Sequence, residues 1–252
     1  MTGFLALLCR ALPWLVAGLP AVAQAADASP GPPRGKQAPA AGSDVQRDLT
    51  LCDRGRRQSP IDIVATRRQA QPQLRFQYRS APLRIVNDGH TVRLRFANGS
   101  RVSVGQETYA LQQFHFHLPG GDRVQGEEFP MAMHFLHRSS AGGLMSLVVL
   151  FRLGAENPAL ALLLPAMPAS GAAERTLPDV SVDPAQWLPA AHGYYRYEGS
   201  LTAPPCTEGV QWIVLKQPLE VSGAQLARLG RLFPSHARPA QPLYGRVVTE
   251  VP

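Results

Sequence analysis

Two stretches of this 252-residue chain alternate side-chain character with a period of two and carry histidines on that alternation. The first is Gln113-Phe114-His115-Phe116-His117-Leu118, and the second is Met131-Ala132-Met133-His134-Phe135-Leu136-His137. Successive side chains of a β-strand point to opposite faces. On the first strand His115 and His117 therefore share one face, and Phe114, Phe116 and Leu118 share the other. On the second, Ala132, His134 and Leu136 share a face opposite Met133, Phe135 and His137. A hairpin-like return between the two would bring His134 beside the first pair. A chain with this pattern has to build a sheet with one apolar side and one side that collects imidazoles.

Other segments agree with a sheet. Leu83–Val86, Thr91–Phe96, Leu144–Phe151 and Gln211–Leu215 have strand composition, and Asn87-Asp88-Gly89, Pro119-Gly120-Gly121 and Ala141-Gly142-Gly143 supply turn chemistry. Helical periodicity is confined to Pro158–Leu164 and Ser222–Leu232, the second opening on Ser222 as an N-cap. The expected fold is mainly β with a few short helices. With 45% hydrophobic residues the chain has ample core material, and it shows neither a glycine repeat nor a disordered composition across its length.

The formal charge of +7 raises the question of nucleic acid. All but Lys36 and Lys216 of the 25 basic residues are arginine, scattered in ones and twos with no block of five like charges. A nucleic-acid stripe clusters its charge and its stacking rings. Scattered arginines read instead as a solvated basic surface with at most weak attraction to anionic surfaces.

The N-terminus divides from the rest. Residues 1–25 are apolar and end in Ala23-Gln24-Ala25, a small-x-small cleavage site, so they read as an export signal despite Arg10 within them. Pro13, Pro20 and the alanine-rich exit favour cleavage over a membrane anchor, leaving no stable membrane insertion. Residues 26–48 are rich in Pro, Ala and Gly without apolar period and read as a disordered linker. Residues 49–252 form the expected folded domain. The implied location is periplasmic or secreted.

Cys9 leaves with the signal, so Cys52 and Cys206 remain. An even pair in an exported chain is more often a disulfide than two separate buried thiols. Closing a loop of about 153 residues would stabilise by ~4–5 kcal/mol in the chain-entropy model.

A single histidine is more often a core or surface residue than a ligand. Three of them converging from neighbouring strands, with one coordination position left open, are the donor set of a catalytic zinc site.

These residues carry a resemblance. Cys52, Gln58-Ser59-Pro60-Ile61-Asp62-Ile63, Asn87-Asp88-Gly89-His90-Thr91, the two histidine strands, Gly199 to Trp212 and Arg238 to Leu243 match the alpha-class carbonic anhydrases in family order. The resemblance implies a large, twisted, mostly antiparallel sheet with Zn2+ at the base of a conical cleft, held by His115, His117 and His134. It implies reversible hydration of carbon dioxide to bicarbonate, His90 as proton shuttle and Thr202 as the hydroxyl that orients the nucleophile. Gln113 matches a partner of the first ligand, and Leu136, Leu201, Val210 and Trp212 match the apolar walls that hold carbon dioxide. A Cys52–Cys206 disulfide also belongs to the pattern. Nothing in the sequence sets an oligomeric state.

The chain departs from the family at two carboxylates. Ala132 stands where a glutamate usually receives the far ring N–H of the third ligand, a loss worth ~10–100-fold in metal affinity or activity. Gly121 and Asp122 stand where Glu-His usually follows, removing the carboxylate that accepts the proton of the orienting hydroxyl. Asp122 is a poor geometric substitute, and Glu127 and Glu128 are expected to be exposed. Two readings follow: a carbonate dehydratase of reduced efficiency, or a zinc-retaining binding or structural module of the cell envelope. If the lost carboxylates limit turnover, restoring glutamate at 121 and 132 should raise it.

Overall fold

The alternating segments pair into one broad sheet. The computed structural model describes residues 51–252 except Ala65, Gln71, Asn98 and His236. The expected signal (1–25) and linker (26–48) lie outside the described residues. The main ladder runs, in spatial order, Arg175–Val182, Ala81–Asn87, Val92–Arg95, Glu107–His117, Met131–Ser139, Leu144–Leu153, Glu208–Leu215, Tyr194–Ser200, Val248–Val251 and Thr66–Arg68. Most pairs are antiparallel. Parallel joins link Leu144–Leu153 to Glu208–Leu215 and Val248–Val251 to Thr66–Arg68.

Each central strand feeds two cores, one per face. Phe114, Phe116, Met133, Phe135, Leu147, Val149, Ile213 and Leu215 pack in the larger core. Their strand neighbours Ala132, Val148, Leu150, Val210, Trp212 and Val214 pack on the opposite face with Ile61, Phe129 and Tyr197. Phe114 alone contacts Phe96, Phe116, Phe135 and Trp187 ring to ring at 5.1–6.1 Å. Burial of such a side chain is worth ~1.5–3 kcal/mol, and this packing makes the back of the histidine strand rigid.

The helices fall where expected, with one end shifted. Asn157 caps Pro158–Leu163 through its side-chain oxygen, and Ser222 and Gln225 form a reciprocal capping box on Gly223–Leu229. The second helix stops before the expected Leu232. After Gly230 the chain tightens to a Leu232 N–H to Leu229 carbonyl bond of 2.8 Å, and Asn87 Nδ2 takes the Leu232 carbonyl at 2.9 Å.

The strands Arg175–Val182 and Tyr194–Ser200 carry no clean period-two signal. The first contains Pro178 at the sheet edge, where its register shifts between Leu177 and Ser181. Exposed arginines pair with carboxylates, as Arg84 and Arg95 both do with Glu174 at 2.6 and 2.8 Å. No helix among the described residues is long and apolar enough to cross a membrane.

Candidate metal centre

The antiparallel register of Glu107–His117 and Met131–Ser139 sets His134 opposite His115 and Ala132 opposite His117. Three imidazoles thus converge from two strands, each offering one ring nitrogen within 4.8 Å of the others. His115 Nε2 and His117 Nε2 lie 3.0 Å apart. His115 Nδ1 meets Gln113 Oε1 at 2.9 Å, which holds the ring proton on Nδ1 and keeps the Nε2 lone pair toward the cluster. Burial draws the pKa of His134 well below the usual 6.5, and the neighbouring His117 and His115 add to the shift. Metal ligation requires such neutral imidazoles. The donor set and its spacing fit a tetrahedral zinc with one open position.

His137 shares no part of this cluster. It points into the opposite core, with Nε2 2.8 Å from Tyr78 Oη and Nδ1 3.0 Å from the Phe135 carbonyl. Alternation along one strand separates a metal-facing histidine from a core histidine three residues on.

The cluster lies at the bottom of a cleft of about 410 Å³. His90, Gln113, Leu136, Leu201, Thr202, Val210 and Trp212 all line it. His90 is exposed at the rim. Its turn is built by Asp88, whose Oδ1 accepts the N–H groups of His90 and Thr91 at 3.0 and 2.9 Å, and by Asn87, whose Oδ1 accepts the Gly89 N–H at 3.0 Å.

Leu201 and Thr202 sit in a loop fixed from far away in sequence. Cys52 and Cys206 form a disulfide with Cα atoms 5.1 Å apart across 154 residues. Ser59 and Ser200 exchange two hydrogen bonds of 3.0 and 3.1 Å. Arg238 donates to Gln58 Oε1 and to the Ser59 carbonyl at 2.7 and 3.1 Å. A Cβ on Gly199 would meet Ser59 Oγ at 2.0 Å, so only glycine admits this approach.

Ser146 and Arg93 are among the cleft residues not read from the sequence. Ser146, 4% exposed, stands between Leu136 and Trp212, its partners on the two adjacent strands, and puts a hydroxyl into an apolar wall. Arg93 lies opposite His115 and pairs with Asp88 at 2.6 Å. Alternation within their own strands assigns both to this face, but their place in the cleft follows only from the strand order.

The surroundings of the missing carboxylates are also clear. Gly121 has φ +87°, and a Cβ there would lie 3.2 Å from Pro60 Cγ, so a glutamate at this position would be strained. Asp122 does not reach Thr202. Its Oδ1 accepts from Tyr197 Oη at 3.0 Å and from the Ile61 N–H at 3.2 Å. Burial pushes its pKa up to about 7 against the lowering effect of those two donors. Glu127 and Glu128 are exposed.

A cluster of three imidazoles below a small, largely apolar wall is the arrangement of a metal enzyme acting on a small molecule. The sequence pattern described as eukaryotic-type carbonic anhydrase matches residues 43–252. A carbonic anhydrase of Nostoc sp. is 37% identical over 221 residues, covering 86% of this chain and 84% of that protein. The Photobacterium profundum alpha-carbonic anhydrase superposes with a TM-score of 0.76 at 36% identity, over 80% of this chain and 92% of that one. A dioscorin complexed with ascorbate superposes at 0.75 with 31% identity, over 81% and 89% of the two chains. The chain belongs to the alpha carbonic anhydrases, the zinc-dependent carbonate dehydratases that hydrate carbon dioxide.

Proposed function

We propose that this chain is an exported carbonate dehydratase that holds zinc through His115, His117 and His134 and works at reduced efficiency. The observation that carries this reading is the convergence of three ring nitrogens within 4.8 Å at the base of a cleft with an apolar wall. Zinc in such a site would supply Lewis acidity, lowering the pKa of water at its open position to about 7. Gln113 orients His115, and burial keeps His134 neutral. Leu136, Leu201, Val210 and Trp212 hold carbon dioxide loosely by shape and exclude competing water. Thr202 orients the attacking oxygen from the cleft side. Addition of water to carbon dioxide yields bicarbonate and one proton, and His90 at the rim passes that proton to solvent or buffer.

The reduced efficiency rests on two positions. No carboxylate among the described residues bonds the Thr202 hydroxyl, and Ala132 has no group to offer His134. These same features favour the second reading, a zinc-retaining binding or structural module. The disulfide and the signal-like residues 1–25 support export to the periplasm or beyond, with 26–48 as a spacer.

The test is stopped-flow carbon dioxide hydration by the zinc-loaded chain lacking residues 1–25, with zinc quantified in the same sample. About one zinc per chain with sulfonamide-sensitive hydration is expected, slower than in an alpha carbonic anhydrase that keeps both carboxylates. Stoichiometric zinc with hydration no faster than buffer establishes the second reading. No bound zinc overturns both.

A further inference from the structure

Two buried side-chain atoms among the described residues make no hydrogen bond: Asp122 Oδ2 and His134 Nε2. Both residues are nearly sealed, at 1% and 4% exposure. Buried polar groups in native interiors are almost always satisfied by protein or by ordered water, so two such atoms demand a partner.

A chain of contacts through one packed cluster connects them. Asp122 binds Tyr197 Oη at 3.0 Å. The Tyr197 ring stacks on Trp212 at 5.6 Å, and Trp212 meets the His134 ring edge-on at 5.1 Å. Tyr197, Trp212, Ile61 and Ala132 pack in one cluster. From the other side Gly120, two residues before Asp122, approaches so closely that a Cβ on it would lie 3.2 Å from Ala132 Cβ. Ala132 is two residues from His134 on the same face of the strand. Its methyl group has no polar atom to offer either residue.

We propose that one buried water bridges His134 Nε2–H to Asp122 Oδ2, making Asp122 the residue that positions the His134 ring across Ala132. A site with polar partners at both ends suits a single structural water, and a bridged bond is nearly as good enthalpically as a direct one. The bridge places the ring proton on Nε2 and leaves the Nδ1 lone pair for the histidine cluster. The carboxylate that acts on the third histidine is thereby supplied from residue 122. The functional consequence rests on the zinc reading; the bridge itself does not.

The test compares wild type, Asp122→Asn, Ala132→Val, Ala132→Glu and the Asp122→Asn/Ala132→Glu double variant. Zinc affinity is measured by competition with a chromophoric chelator, and the His134 tautomer by 15N NMR of the metal-free protein. Wild-type His134 is expected as the Nε2–H tautomer. Asp122→Asn, which reverses the hydrogen-bond sense at Oδ2, and Ala132→Val, which fills the space and leaves Asp122 intact, should each weaken zinc about tenfold. Ala132→Glu gives His134 a direct partner and should make Asp122→Asn nearly silent. Zinc affinity within twofold of wild type and an unchanged tautomer in Asp122→Asn would overturn the proposal. So would an equal loss on adding Asp122→Asn with or without Ala132→Glu, since Asp122 would then serve only the fold. If Asp122→Asn does not fold, Ala132→Val decides alone. A wild type that binds no zinc refutes the zinc reading, while the tautomer still tests the bridge.

Discussion

His134 stands directly opposite His115 across an antiparallel pair, their ring centroids 5.5 Å apart, while His137 on the same strand faces the other core. His134→Ala should therefore abolish zinc retention, taking bound metal from about one per chain to near none. His137→Gln should leave zinc content unchanged and lower only stability. Metal analysis after dialysis separates the two. Full zinc in His134→Ala would refute its assignment as a ligand.

His90 sits at the exposed rim of the cleft that holds the three cluster histidines. His90→Ala should lower kcat in weak buffer by about 10–100-fold, the range of general acid–base groups, and leave kcat/KM nearly unchanged. Added imidazole should restore the rate. Equal losses in both constants would show that His90 acts on the chemical step and not on proton release.

The Cys52–Cys206 bond ties the loop carrying Leu201 and Thr202 to the segment before Ser59. Cys52→Ser with Cys206→Ser should cost about 2–5 kcal/mol, about 5–15 °C in Tm for a domain of this size. Zinc binding should survive, because the histidine strands lie elsewhere in the sheet. Calorimetry with metal analysis checks both halves.

His137 is fully buried, and burial holds its pKa at about 3, opposed by its bonds to Phe135 and Met145. The unfolded chain binds that proton near pH 6.5. Between these values the unfolded state carries up to one more proton, so stability falls as pH falls, by up to ~1.4 kcal/mol per pH unit. Stability from this group is complete above about pH 6.5 and exhausted below the folded value. Urea unfolding from pH 7 to 4 should show a shallower slope in His137→Gln.

Gly121→Glu should not rescue turnover. At φ +87° with Pro60 3.2 Å from a Cβ, the substitution should cost at least ~1–2 kcal/mol, visible as a lower urea midpoint. A stable variant with faster hydration would mean the loop can rebuild itself around the new side chain.

Much of the site was legible because period-two alternation is a local rule. It assigned His115, His117 and His134 to one face and Phe114, Phe116 and Phe135 to the other from neighbours alone. The Ser222 cap and the two retained cysteines were equally readable, since each depends on residue type and short spacing. The order of the strands was not. Ser146 entered the cleft because Leu144–Leu153 lies between Met131–Ser139 and Glu208–Leu215, and no local pattern encodes that neighbour relation. The orientation of Asp122 toward Tyr197, 75 residues away, and the backbone of Gly121 against Pro60 were likewise set by tertiary packing. The sequence by itself determined which side chains could meet a metal. Contacts spanning 141 to 180 residues, from Ser59–Ser200 to Gln58–Arg238, decided where the cleft loop stands over them. Such contacts form only when the whole sheet closes, because their geometry is a property of the assembled layers and not of any segment.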